Sequence, residues 1–345
     1  MKKLSVLSIG AGAIGTYIAG SLASIGHDIV VLEQPEVIPA LQKNGMHINL
    51  KDRAFHIHHF QTVASLGEAF ASSHFDFAIF AIKSYDTDSF IQQLNPFKEI
   101  CPTILCLQNG VENETKLSRI LGKDKVIPGT VTSSIARRAA GEIVLERKRG
   151  MGLSKLHPLS DQLVEVFNIA GLNAHLFSDP VSMKWSKMLT NLLANASAAI
   201  LDMTPAEIFS NPELTQLEIF QIREALSVMA ALGIHPVDLP GTSVRSLAFV
   251  VRMLHPGLAR HLLKMSVGKG RGGKMPSFHI DLQSRRGHSE VDYLNGAVVR
   301  FGNSAGIATP VNILLNETLL GLTIGSIPIA HFAHQPKLLL KLLSN

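Results

Sequence analysis

The chain begins its regular structure with Leu4-Ser5-Val6-Leu7-Ser8-Ile9-Gly10-Ala11-Gly12-Ala13-Ile14-Gly15, and a second apolar run, Asp28-Ile29-Val30-Val31-Leu32-Glu33, follows eleven residues after Tyr17. A β-rich run that enters a glycine turn and then a helical stretch is the strand–turn–helix context that a dinucleotide fingerprint requires. Gly10 permits the tight turn, Gly12 lets a pyrophosphate approach the backbone, and Gly15 allows the helix to pack closely on the strand. The whole segment Gly10-Ala11-Gly12-Ala13-Ile14-Gly15 is therefore predicted to hold the cofactor phosphates at a helix N-terminus. Glu33 ends the second strand 18 residues past Gly15, where a ribose-binding carboxylate belongs. A glycine-rich turn in an unrelated α/β protein is the competing explanation.

The run from Leu4 to Gly26 carries no charge and follows Lys2 and Lys3, as a signal peptide would. Gly10, Gly12, Gly15 and Gly20 interrupt it, so two strands around a helix explain it better than a membrane segment. Further strands are expected at Asp76–Ile82, Thr103–Leu107, Val126–Ile135 and Glu142–Leu145. From about Pro180 the pattern changes to helical periodicity, over Val181–Leu201, Glu213–Leu232, Ser243–Met253 and Tyr293–Ala305. The fold class is α/β, an N-terminal Rossmann-type doubly wound parallel sheet (residues 1–178) followed by a C-terminal all-helical domain (residues 179–345) for substrate and dimerisation.

The length of 345 residues matches two domains of roughly 150. A hydrophobic share of 46% with only 17% charged residues excludes a disordered chain. Lys and Arg exceed Asp and Glu by 32 to 27, a surplus of five that suits phosphate or carboxylate ligands but is too small to argue for nucleic acid. One Trp and three Tyr also provide few platforms on which bases stack. Cys101 and Cys106 are too few for a disulfide framework, and they read as small apolar residues of a reducing compartment. His56 and His58 would share a strand face, but two imidazoles without a carboxylate make an incomplete metal site, so no metal is expected. No membrane contact is expected either, and the chain reads as soluble and cytoplasmic.

Two more strand ends carry polar groups, Lys83 and the Gln108-Asn109-Gly110 turn. In an open α/β sheet the ligand lies outside the carboxyl ends of the strands, so both are predicted to face the cofactor. In the helical half, Lys187, Asn191 and Asn195 recur at steps of four, which would align them on one helix face. Exposed helix faces usually carry Glu and Lys rather than two asparagines, and a cleft wall is the better reading of this stripe.

Together with the fingerprint, Lys83 and the Gln108-Asn109-Gly110 turn, the segments Lys184-Trp185-Ser186-Lys187, Glu290-Val291-Asp292-Tyr293-Leu294-Asn295-Gly296 and Thr309-Pro310-Val311-Asn312 resemble the ketopantoate reductase (2-dehydropantoate 2-reductase) family over most of the chain. The resemblance implies hydride transfer from NAD(P)H to a small 2-oxo acid, with Lys187 protonating the ketone oxygen and Glu290 orienting Lys187 or contacting the substrate. It implies that Asn109, Asn191 and Asn195 hold the nicotinamide side and substrate oxygens, that Ser277 and Asp281 meet the substrate's polar end, and that Lys83 approaches the cofactor. A homodimer is the expected assembly.

Two departures from the family pattern stand out. Glu33 occupies the place where an NADPH-dependent member carries an arginine for the 2′-phosphate; it favours NADH and keeps open an NAD-dependent D-2-hydroxyacid dehydrogenase of the D-mandelate type. The basic, glycine-rich stretch Gly268–Lys274 and the leucine-rich tail from Ile327 are also longer than expected; the first reads as a surface loop or a cationic lid, the second as a docked helix or an oligomer contact. A non-catalytic dinucleotide sensor is the rival of another class, and it would have no use for Lys187 and Glu290.

Overall fold

A computed structural model describes residues 2–50, 53–254 and 273–343, which form two compact units. The first comprises residues up to Lys184 together with Leu239–Thr242, and the second comprises Trp185–Asp238 and the chain from Ser243. The division falls inside the helix Pro180–Leu192.

Among the described residues of the first unit twelve strands form two sheets. They are β1 (Ser5–Ile9), β2 (Asp28–Leu32), β3 (Met46–Asn49), β4 (Ala54–Ile57), β5 (Gln61–Val63), β6 (Phe77–Phe80), β7 (Ile104–Cys106), β8 (Val126–Val131), β9 (Ser134–Ala139), β10 (Glu142–Arg147), β11 (Met151–Ser154) and β12 (Ala174–Phe177). The larger sheet runs β12-β11-β8-β7-β6-β1-β2-β5, and its stretch from β8 to β5 is parallel throughout. That stretch is the doubly wound order, with the chain reversing direction across the sheet between β1 and β6. Alternate residues feed two cores: Val6, Ile79, Leu105 and Ile127 lie in one, and Leu7, Phe80, Ile104 and Val126 in the other. A strand buried on both faces needs the near-continuous apolar runs seen here.

The smaller sheet, β4-β3-β10-β9, packs beside the helix Ala13–Ala23. A Cβ on Gly20 would come within 2.0 Å of Ile48 Cδ1, so glycine is what permits that approach. Short strands such as Met46-His47-Ile48-Asn49 carry one buried face and too little apolar repetition to be read in advance. The expected strand over Val126–Ile135 is two strands in two sheets. At the corner, Thr132 Oγ1 donates to Gly150 O (3.0 Å) and Pro240 O (2.8 Å), while Ser133 Oγ accepts from the Arg149 and Gly150 amides. Those bonds turn the chain where propensity alone would continue it.

His56 lies on β4 opposite His47 of β3, with ring centroids 3.9 Å apart, whereas His58 follows the strand's end. They line a cavity of about 560 Å³ with Lys43 and Glu142. Among the described residues no three His, Cys, Asp or Glu side chains are arranged to hold a metal ion.

Every regular element of the second unit among the described residues is helical. The expected helix Val181–Leu201 is corrected to two helices, Pro180–Leu192 and Ala196–Leu201, separated by Leu193–Asn195 with Ala194 in the left-handed region (φ +45°). Asn195 therefore does not continue the face shared by Lys187 and Asn191. The tail ends in a short helix, Pro336–Lys341, whose Leu339 is buried against the helix Pro212–Ala231, and the amide of His334 donates to Leu201 O (2.7 Å). No helix among the described residues is long and apolar enough to cross a membrane. Of the glycine-rich stretch, residues 268–272 lie outside the described residues, and Lys274 is exposed.

Candidate cofactor and substrate sites

The carboxyl ends of β7, β6, β1 and β2, adjacent in the sheet, bring together the predicted cofactor residues of the first unit. Gly10 sits at φ +93°, and its amide closes the turn onto Leu32 O at 2.9 Å. A Cβ on Gly15 would fall 2.0 Å from Gly10 O, so this glycine is required by the contact of helix with strand. Gly12 differs, since its Cβ would meet nothing closer than Ala81 O at 3.9 Å. The helix Ala13–Ala23 begins at Gly12 with no side-chain cap and no acidic residue in its first turn. An open cradle over uncapped amides fits a dinucleotide pyrophosphate.

Glu33 Oε2 accepts the Ala11 amide at 2.6 Å, and Oε1 accepts the Gln34 amide at 2.9 Å. The carboxylate is thereby fixed against the fingerprint turn, and each oxygen retains a second lone pair suited to a ribose hydroxyl. Of the basic residues that follow β2, Arg53 lies over the Phe55 ring and Lys43 lines the histidine cavity.

The loops after β6 and β7 are joined by Gln108, which the sequence singled out, and by Ser84, Thr87 and Asn113, which it did not. Gln108 Nε2 donates to Ile82 O (3.1 Å), Lys83 O (3.2 Å) and Thr87 Oγ1 (2.9 Å). Asn109 O accepts from Ser84 Oγ (3.0 Å) and Asn113 Nδ2 (2.7 Å). Lys83 and Asn109 are thus carried on one cross-linked ledge. Below it Lys184, 5% exposed, donates to Gln108 O (2.6 Å) and Gly129 O (3.2 Å) and pairs with Glu114 at 2.7 Å. Its ammonium is thereby enclosed as a structural anchor. Burial pushes the neighbouring Cys106 thiol well above its ordinary range, consistent with an unreactive core residue.

In the second unit Lys187 and Asn191 are half-buried on one helix, and Glu290 is buried at the start of the helix Val291–Ala305. Asn195 and Ser277 are brought together: Asn195 Nδ2 donates to Asn191 O (3.0 Å) and Ser277 Oγ (3.4 Å), and its Oδ1 accepts the Phe278 amide (3.1 Å). The Asn195 amide thus fixes the start of the helix Ser277–Gln283, which also carries Asp281.

Two resemblance motifs have structural work. Asn295 donates to Gln221 Oε1 (2.8 Å) and Asn312 Oδ1 (3.0 Å). Glu224 accepts the Val311 and Asn312 amides and the Asn312 side chain, while burial raises its carboxyl above the usual range. The missed signal was Glu218, Gln221 and Glu224 at steps of three on one face of the helix Pro212–Ala231.

The doubly wound sheet with its glycine cradle and polar strand ends defines a dinucleotide-binding α/β protein joined to a helical unit. The family model described as ketopantoate reductase PanE/ApbA matches residues 6–157, and the C-terminal model of the same family matches 180–322, so the chain belongs to the ketopantoate reductase family. It is 26% identical over 324 residues to a 2-dehydropantoate 2-reductase of Pyrococcus horikoshii, covering 90% of this chain and 95% of that protein. A 2-dehydropantoate 2-reductase of Archaeoglobus fulgidus is 25% identical over 333 residues, covering 94% and 98%. Among solved structures, a PanE/ApbA family ketopantoate reductase from Ralstonia eutropha JMP134 superposes with TM-score 0.78 at 22% identity, over 93% of this chain and 98% of that one. A D-mandelate dehydrogenase with NADH and anilino(oxo)acetate superposes with TM-score 0.77 at 20% identity, over 93% and 99%.

Proposed function

We propose that the chain catalyses reduction of 2-dehydropantoate (ketopantoate) to pantoate with a nicotinamide dinucleotide. The observation that carries this reading is the match of both halves of the chain to the family models, joined to a glycine cradle that fits a pyrophosphate. The reduced nicotinamide, when bound, supplies the hydride received by the ketone carbon. Lys187 donates a proton from Nζ to the ketone oxygen, so hydride and proton together make the alcohol. Glu290 orients Lys187 or contacts the substrate; Asn109, Asn191 and Asn195 hold the nicotinamide side and substrate oxygens; Ser277 and Asp281 meet the substrate's polar end; and Lys83 approaches the cofactor. Residues 1–178 serve the cofactor, and residues 179–345 serve the substrate and pairing into a cytoplasmic homodimer.

Glu33 supports NADH over NADPH. A 2′-phosphate would bring about two negative charges against its carboxylate, at a cost on the order of 1–3 kcal/mol, or roughly 5–150-fold in affinity. The same residue supports the second reading, an NAD-dependent D-2-hydroxyacid dehydrogenase of the D-mandelate type. Oxidation of NADH and NADPH, followed by absorbance with ketopantoate, phenylglyoxylate and other 2-oxo acids, separates these outcomes. The highest kcat/KM is expected for ketopantoate with NADH, and Glu33→Arg should shift the ratio toward NADPH. A higher value for phenylglyoxylate favours the second reading, and no turnover with any 2-oxo acid rejects both.

A further inference from the structure

We propose that Glu218 is a positioning residue for the substrate's polar end, acting through the helix break at Leu193–Asn195 to fix Ser277. The inference rests on the reading above only in assigning substrate contact to Asn195 and Ser277. Glu218 stands in the middle of the helix Pro212–Ala231 and is 0% exposed. A carboxylate in that place is costly unless its oxygens are bonded. Oε2 accepts the Ala194 amide (2.7 Å) and Gln221 Nε2 (3.1 Å), and Oε1 accepts Ser197 Oγ (2.5 Å).

These partners explain why the helix stops. Residues 181–201 have the composition of one uninterrupted helix, and a non-glycine residue in the left-handed region, as Ala194 is, is disfavoured. An unbroken helix would bond the Ala194 amide to the carbonyl four residues earlier; Glu218 takes that donor instead. Gln221, three residues along the same helix face, donates to Leu192 O (3.1 Å), the last carbonyl before the break. Glu218 therefore bonds a donor that the break takes out of the helix, and Gln221 joins the Asn195 amide (3.2 Å) as a second donor on Leu192 O.

The break determines what Asn195 does. As the residue before Ala196–Leu201, it turns its amide onto Asn191 O, Ser277 Oγ and the Phe278 amide. Bonded contacts thus run from Glu218 to Ala194, the chain neighbour of Asn195, and from Asn195 to the first turn that bears Ser277. With Glu218 changed, the 193–195 corner would relax toward helix and Asn195 would leave Ser277.

The test uses the full chain with Glu218→Gln, Ser277→Ala and the double variant. In Glu218→Gln, KM for the 2-oxo acid is expected to rise about tenfold, while kcat changes less than about threefold and cofactor Kd stays constant. Ser277→Ala raises KM in the wild-type background and adds little in Glu218→Gln, because both changes act on one contact. Amide exchange across residues 277–283 should quicken about tenfold in Glu218→Gln, with residues 13–23 unaffected. That readout is independent of turnover: faster exchange without any 2-oxo acid turnover sinks the functional reading alone. Unchanged exchange, or KM effects that simply multiply, overturns the inference. If Glu218→Gln does not fold, Ser197→Ala removes one donor and keeps the carboxylate on Ala194; a KM rise of about threefold is expected, and an unchanged KM overturns the inference.

Discussion

At Gly10–Gly15 the first unit clears side chains away, whereas around Leu192–Asn195 the second unit brings side chains in. The fingerprint leaves helix amides uncapped beneath open space, with the carboxylate of Glu33, just past β2, accepting the Ala11 amide. At the helix break Glu218 takes the Ala194 amide, Gln221 adds a second donor to Leu192 O, and Asn195 is carried with them. A cofactor with phosphates can be met by backbone alone, so glycine suffices. A small 2-oxo acid offers few atoms, and binding it requires individual side chains held in place by others. The comparison predicts that the first site fails when atoms are added and the second when polar atoms are removed.

The largest effect should come from adding one methyl group. Gly15→Ala places a Cβ 2.0 Å from Gly10 O, a backbone atom that cannot step aside, and the variant should not accumulate as folded protein. Gly12→Ala meets only Ala81 O at 3.9 Å, so it should fold within about 1 kcal/mol of wild type while its Kd for dinucleotide rises at least about tenfold. Thermal unfolding and cofactor titration separate the two. A Gly12→Ala chain with unchanged affinity would show that the pyrophosphate does not cross this turn.

Lys184→Met comes next. It leaves Glu114 and the Gln108 and Gly129 carbonyls facing an apolar side chain, and breaking such a buried pair costs about 3–5 kcal/mol. Denaturant unfolding should show that loss, and the double variant Lys184→Met/Glu114→Leu should recover part of it. Equal stability of Lys184→Met and wild type would mean that the ledge bearing Asn109 does not depend on this anchor.

Lys187→Ala should lower kcat about 10²-fold with cofactor Kd unchanged, as loss of a general acid requires. It removes a reacting group, in contrast to Lys184→Met, which removes a support. Near-wild-type kcat in a folded Lys187→Ala chain would reject the proton-donor assignment and turn attention to Glu290.

The parallel sheet was legible because its strands are buried on both faces, and β2, expected to end at Glu33, ends one residue earlier at Leu32. Residues whose value lies in their own type were legible too: the glycines of the turn and Glu33 at a strand end. What escaped reading was set by distant partners. The corner after Val131 depends on Pro240, more than a hundred positions away in sequence, and the break at Ala194 depends on Glu218. Periodicity reports which face is apolar, but not which amide a remote carboxylate will capture.

The smallest effect tests whether the first unit also relies on a buried side-chain acceptor, at the opposite end of its sheet. His27 is 4% exposed, and its Nδ1 accepts the Leu4 amide at 3.0 Å, so the ring is neutral with its proton on Nε2. Burial lowers its pKa, and Lys3 lowers it further, against the opposing pull of Asp28 and Asp76. The unfolded chain therefore takes up a proton near pH 6.5 that the folded chain resists. The associated stability is complete above that pH and declines as the pH falls toward the folded value, by at most about 1.4 kcal/mol per pH unit. His27→Asn keeps an acceptor near the Leu4 amide but cannot titrate. It should be less stable than wild type at pH 7.5, where the ring's packing is lost, and the gap should narrow between pH 6.5 and 5. Denaturant unfolding of both proteins across that range gives the difference directly. A gap that stays constant with pH would remove His27 from the acid response and leave the Leu4 amide as a bond of packing alone.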